Sequence, residues 1–211
     1  MVRFRPLIGR NPPHTAFLFM NIEAALLEAC IKQDRRAQSE LYRRCYGVLM
    51  GICMRYLKDE QEAVGMLNQG FLKILNGLPK RNERAPLEAW MRRIMINTVI
   101  DEFRRQKRHH EAIRYEDFTD TTHYEEYIDY NQADQDLDAA AIEVLIQQLP
   151  DVSRQVFNLY AIDGYSHKEV AEMIGMSVGT SKWHVNFARN KLKEQIRQRL
   201  NQEEKVRKEA L

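Results

Sequence analysis

The chain has 211 residues, of which 44% are hydrophobic and 29% charged, with a formal net charge of +2. That length suits one large domain or two small ones, and no window reaches the ~20 apolar residues that a membrane span needs. The three cysteines, Cys30, Cys45 and Cys53, are odd in number and lack metal-ligand spacing. This predicts buried small hydrophobes in a reduced, cytoplasmic setting.

The net charge conceals a polarity along the chain. Residues 1–110 hold 20 Lys/Arg against 11 Asp/Glu, residues 111–151 hold 1 against 12, and residues 152–211 hold 11 against 7. Basic blocks suit phosphate contacts, and here an acidic block separates two of them.

In chain order, residues 1–19 carry charge, the pair Pro12-Pro13 and too short an apolar patch for a secretory signal, so a disordered extension is expected. Met20 is an alternative start, with Asn21 capping the helix that follows. From Ile22 to about Arg108 the periodicity is helical throughout, with helices near 22–32, 35–57, 60–76 and 86–108. In the third, Ala63, Leu67, Phe71 and Ile74 form one apolar stripe. Gly77 and Pro79 end it, a basic loop runs from Lys80 to Arg84, and Pro86 opens the next helix.

The 86–108 helix has two faces. Met91, Ile94, Met95, Val99 and Phe103 spread over a broad core side, while Arg93, Asn97, Asp101, Arg104 and Arg108 form a narrow polar stripe opposite. Mostly cationic, that stripe suits a nucleic-acid backbone; an ordinary solvated face is the competing reading. Trp90 is expected in the core. Residues 109–138 are acidic and poor in aliphatics, which predicts a solvated flexible connector. His109, His110 and His123 lack the spacing of a metal site.

A helix from Asp138 to Leu149 runs into Pro150, and Ser153 to Ile162 continues the domain, with Val156, Phe157, Leu159 and Tyr160 expected to pack inward. The stretch from Gly164 to Leu192 then reads as two helices and a tight turn. Ser166 is an N-cap with Glu169 at capping-box spacing, and Gly175 supplies the left-handed freedom of a helix end. Ser177 caps the second helix, which carries Lys182, Trp183, Asn186 and Arg189 toward its outer side. This is a helix-turn-helix pattern, whose second helix lies in the DNA major groove; a plain helical hairpin has the same spacing. After Leu192 a charged helical tail is expected to fray.

The run LPDVSRQVFNLYAIDGYSHKEVAEMIGMSVGTSKWHVNFARNKLKEQI resembles region 4 of sigma factors of the extracytoplasmic-function (ECF) type. Its specific marks are Leu149-Pro150, Tyr165-Ser166 and Gly179-Thr180. Beside it, AWMRRIMINTVIDEFRR resembles the helix of sigma region 2 that contacts the −10 promoter element. The resemblance implies an all-α fold of two small helical domains joined by an acidic flexible linker. Region 2 would occupy 20–110, the linker 111–138, region 4 139–200 and a charged tail 201–211.

The resemblance further implies −35 contacts from Ser177, Thr180, Lys182, Trp183, Asn186, Phe187 and Arg189, and −10 contacts from Lys80, Arg81, Asn82, Arg84, Arg93, Asn97, Arg104 and Arg105. Docking on the clamp helices of the RNA polymerase β′ subunit would use Asp59, Glu60, Glu62, Ala63, Met66, Leu67, Gln69 and Phe71. The implied partners are core polymerase (β′ clamp helices and β flap), promoter DNA and an anti-sigma factor, with no cofactor, no metal and no membrane insertion. The linker would thread polymerase channels as an acidic, tyrosine-dotted imitation of a nucleic-acid strand.

The chain departs from the family pattern where acidic residues are usual, at Gly65 and Gln69, and in the recognition helix at Trp183 and Phe187. No Gly-rich phosphate loop or HExxH is present, so an enzyme is not expected. The alternative is a stand-alone helix-turn-helix regulator that binds duplex DNA as a dimer.

Overall fold

The computed structural model describes residues 22–82, 84–110 and 139–209; the N-terminal extension, Asn21 and the acidic connector lie outside them. The chain divides into two compact units, with the boundary between Lys107 and Arg108. Among the described residues every regular element is helical.

The N-terminal unit contains α1 (Ala24–Ile31), α2 (Arg35–Tyr56), α3 (Glu60–Gly77) and most of α4 (Leu87–His110). Asp34 caps α2 by accepting from the Arg36 and Ala37 amides at 2.7 and 3.1 Å. Asp59 caps α3 by accepting from the Glu62 amide at 2.8 Å, and both supply what the first turn of a helix lacks. The turn between α1 and α2 is made without glycine. Gln33 takes φ 63°, and amide bonds from Gln33 to the Cys30 carbonyl and from Asp34 to the Ala29 carbonyl close it.

The stripe Ala63, Leu67, Phe71 and Ile74 is buried, as are all three cysteines, which are free thiols. Burial pushes the Cys45 and Cys53 thiols up to about 12, so both stay protonated and behave as small hydrophobes. Tyr42 ties α2 to α3, donating to Asn68 Oδ1 at 2.9 Å and meeting the Phe71 ring edge-on at 5.0 Å. Helices α3 and α4 approach closely at two glycines. A Cβ on Gly77 would lie 2.9 Å from the Trp90 ring, and one on Gly70 would strike the Met95 thioether. Trp90 is therefore half-buried against α3, at the rim of the core rather than within it. The buried face of α4 is also wider than expected: Ile96, Thr98 and Ile100 are buried with Met91, Met95 and Val99, whereas Ile94 and Phe103 are half-buried.

The C-terminal unit contains α5 (Ala139–Gln147), α6 (Asp151–Phe157), a π-helical turn (Asn158–Ile162), α7 (His167–Ile174) and α8 (Val178–Glu209). Leu145, Ile146, Leu149, Ala188 and Leu192 form one cluster of its core, with Phe157, Ile162 and Ile196 against it. Val156 and Leu159 are fully buried, while Phe157 and Tyr160 are half-buried. Helix α8 does not stop near Leu192. Ile196 still packs on the core, Lys191 pairs with Glu194 at 2.9 Å, and the helix runs to Glu209.

Candidate nucleic-acid interface

The C-terminal site is built from the turn outward. Ser166 Oγ accepts from the Glu169 amide at 3.3 Å, and a Glu169 carboxylate oxygen accepts from the Ser166 amide at 2.8 Å. This reciprocal capping box fixes the start of α7. Gly175 ends that helix at φ 78°, its amide donating to the Ala171 carbonyl at 2.9 Å. Two residues later Ser177 Oγ accepts from the Thr180 amide at 3.0 Å and shares a 2.8 Å bond with the Thr180 hydroxyl. The two hydroxyls are exposed but engaged in starting α8.

Ser181, Val185, Ala188 and Leu192 are the buried stripe of α8. At 100° per residue the opposite direction is that of Trp183, with Asn186, Phe187 and Asn190 on either side. Lys182 and Asn186 are exposed; Trp183 and Phe187 are half-buried because their rings stack, centroids 5.3 Å apart and planes 17° from parallel. Arg189 departs from expectation. It is half-buried, with its guanidinium over the Tyr160 ring at 5.9 Å, so it sits toward the π-helical turn.

Two hydroxyl–imidazole contacts hold α8 in place. Buried Ser181 Oγ lies 3.0 Å from His167 Nδ1, and buried Ser153 Oγ lies 2.9 Å from His184 Nδ1. Burial is the main cause that lowers both imidazoles from their usual range; for His167 the cationic Lys182 and Arg189 add to it. Neutral rings are thus favoured beneath the helix. Arg154, missed in the sequence, is the buried member of this scaffold. Its guanidinium is 2% exposed, donates to the Gln147 and Leu149 carbonyls at 3.2 and 3.4 Å, and pairs with Asp151 at 3.1 Å.

In the N-terminal unit, Arg93, Asn97 and Asp101 are exposed along α4 and Arg104 is half-exposed; the Arg108 side chain is outside the described ones. The arginine-bearing stripe therefore faces outward. Asp101 pairs with Lys73 of α3 at 3.7 Å, and Arg105 pairs with Glu102 at 2.7 Å. In the loop ahead of α4, Lys80 and Arg84 are exposed, but two neighbours shape the backbone. Asn82 Oδ1 accepts from the Arg84 amide at 3.0 Å, and Arg81 donates to the Ala85 carbonyl at 3.0 Å.

The residues assigned to docking divide between two faces of α3. Asp59, Glu60, Glu62 and Gln69 are exposed, but Ala63, Met66, Leu67 and Phe71 are buried in the unit's own core. Those four cannot meet a partner directly: an apolar side chain already packed inside has no free surface to offer. The outer face offers Leu72 instead, 60% exposed. Its signal was legible as an apolar residue one position off the buried stripe.

Among the described residues no cluster of metal-ligating side chains occurs, and no helix is long and apolar enough to cross a membrane. Residues 41–109 match the family model described as Sigma-70 region 2, and residues 139–192 match Sigma-70, region 4. Together the two matches span more than half of the chain. The ECF RNA polymerase sigma factor SigM of Mycobacterium tuberculosis is 28% identical over 170 residues, covering 81% of this chain and 82% of that protein. The RNA polymerase sigma-H factor of Pseudomonas aeruginosa is 25% identical over 175 residues, 78% and 88% of the two chains. Among solved structures, the sigma factor RpoE in complex with the anti-sigma factor NepR, from Bartonella quintana, aligns with a TM-score of 0.43 at 19% identity, over 74% of this chain and 94% of that one.

Proposed function

The chain belongs to the sigma-70 family, among the RNA polymerase sigma factors of ECF type, and from that premise we propose how its residues divide the work of promoter recognition. Helix α8 enters the major groove at the −35 element, with Lys182, Trp183 and Asn186 toward base edges and Arg189 reaching phosphate. Ser177 and Thr180 present the start of the helix to the backbone, and Phe187 backs Trp183.

The −10 element is engaged by the N-terminal unit. Arg93, Asn97, Arg104 and Arg105 on α4, with Lys80 and Arg84 in the loop, follow the opened strand while a base is held out of the stack. Arg81 and Asn82 hold the loop in shape. Docking on the β′ clamp helices uses Asp59, Glu60, Glu62 and Gln69, with Leu72 as the apolar anchor. In this reading the protein makes no bond of its own; nucleotide chemistry belongs to the polymerase, and both work in the cytoplasm. Membership in the ECF type also implies an anti-sigma factor as a third partner.

The observation that carries the proposal is the outward cationic stripe of α4 in one unit, paired with a capped helix-turn-helix in the other. The test is pull-down with core polymerase followed by run-off transcription. Copurification and initiation from a defined start are expected. Tight binding to duplex DNA as a dimer, with no retention on core, would overturn it. Lys182→Ala with Asn186→Ala should lose promoter use while core binding is retained.

A further inference from the structure

We propose that the stacked pair Trp183–Phe187 reads thymine C5-methyl groups in the −35 element, so that promoter choice by this protein depends on apolar contact as well as hydrogen bonds. The inference rests on the proposed reading of α8 as the −35 recognition helix and adds to it which groups on the DNA are read.

Trp183 stands on α8 directly opposite the buried stripe, and the Phe187 ring lies parallel to it one turn further on. His184 meets the indole edge-on at 4.9 Å, and its own ring is tied to Ser153. The stack is therefore braced from within the unit, and ordering it on contact with DNA would require little further loss of side-chain freedom. One flank is polar: Lys182 and Asn186 are exposed on it.

A cation and an amide beside two large apolar rings fit a DNA groove better than an apolar protein surface. Of the four bases, thymine alone presents a methyl group in the major groove. Phe187 has no polar atom, and the indole of Trp183 has one donor and no acceptor. The exposed face of the stack thus has apolar area to bury and little to offer a cytosine amino group. Methyl burial at one or two thymines is what this geometry accommodates.

The experiment uses the full chain bound to core polymerase. Promoter duplexes are selected from a random library, the −35 element is resynthesised with deoxyuridine at each thymine in turn, and holoenzyme binding and run-off are measured. Deoxyuridine removes the methyl and leaves pairing and O4 unchanged. At one or two positions binding should weaken about fourfold per methyl removed. Trp183→Ala and, separately, Phe187→Leu should bring the thymine-to-deoxyuridine ratio toward one, whereas Lys182→Ala should weaken both duplexes alike and leave the ratio unchanged. Equal binding of thymine and deoxyuridine duplexes by the unaltered protein, an undiminished ratio in Trp183→Ala, or selected −35 elements without thymine would each overturn the proposal while leaving the sigma-factor reading intact. Failure to select any promoter or to support run-off would overturn both.

Discussion

The His167 ring lies flat on the Tyr160 ring, with centroids 4.0 Å apart and 16° between the planes. Tyr160 belongs to the π-helical turn and His167 opens α7, so this stack joins the element before the helix-turn-helix to the helix-turn-helix itself. The Arg189 guanidinium lies over the same tyrosine ring, and His167 Nδ1 meets Ser181 of α8. One imidazole therefore helps to set how α8 is held.

Acid should loosen this unit. Burial lowers His167 and His184 from their ordinary 6.5. As pH falls through that value the unfolded chain takes up protons that the folded unit resists. Stability is thus full above it and declines until the lower folded-state values are passed. Each ring limits the slope to about 1.4 kcal/mol per pH unit. Urea unfolding followed by Trp183 fluorescence, with Trp90→Phe to silence the other unit, should show a midpoint that drops as pH falls through about 6.5. His167→Gln should flatten part of that slope; an unchanged slope would contradict the neutral buried ring.

Arg154 predicts a larger effect. Its buried guanidinium satisfies carbonyls at the end of α5, where a helix leaves acceptors without intrahelical donors. Arg154→Met should destabilise the C-terminal unit by about 2–4 kcal/mol, the cost of stranding these groups. Asp151→Asn should cost less than about 1 kcal/mol, since that carboxylate is 62% exposed. The same fluorescence-detected unfolding separates the two. Similar losses for both would mean that the ion pair, not the carbonyl contacts, is what holds Arg154.

The two units differ in how far their sequences reveal them. The capping box Ser166–Glu169, the left-handed Gly175 and the Ser177 cap were legible because each depends on residues within three positions. The buried stripe of α3 was legible from period alone. Ile96 and Ile100 were not, because α4 is covered around more of its circumference than a single polar stripe implies. The docking set follows from a resemblance to a whole helix, which does not separate its inner from its outer face, and Ala63, Met66, Leu67 and Phe71 prove to lie on the inner one. The turn at Gln33 gave no glycine signal, and the π-helical turn at Asn158–Ile162 has no composition of its own. Arg154 shows the same limit. An arginine at a helix start reads as surface until tertiary packing encloses it.

Glycines within α3 give opposite predictions. Nothing lies within 4 Å of a Cβ added at Gly65, whereas one at Gly77 meets Trp90 at 2.9 and 3.3 Å. Gly65→Ala should stabilise the N-terminal unit by about 0.5–1 kcal/mol through helix propensity. Gly77→Ala should destabilise it by about 1–3 kcal/mol through overpacking against a rigid ring. Thermal unfolding by circular dichroism would register both. Gly65→Glu should also tighten core-polymerase binding by restoring negative charge on the proposed docking face, and unchanged affinity would move that face elsewhere.

The polar stripe of α4 allows a prediction in which salt dependence distinguishes phosphate contact from fold damage. Arg93 and Asn97 are exposed side chains on a helix anchored by Met91, Met95 and Val99, so removing either leaves the core untouched. Surface substitutions of this kind shift stability by no more than about 0.5 kcal/mol. If Arg93 contacts a phosphate of the opened strand, Arg93→Ala should lessen the slope of log affinity against log salt by about 0.7, the single-strand value per phosphate. Asn97 is uncharged, so Asn97→Ala should weaken open-complex formation with no change in slope. Arg105 is already paired with Glu102, and Arg105→Ala should change the slope less than Arg93→Ala does. Permanganate reactivity of unpaired thymines, measured with holoenzyme over a range of salt, reads all three. An Arg93→Ala slope identical to that of the unaltered protein would remove α4 from the phosphate contacts and leave its outer face an ordinary solvated surface.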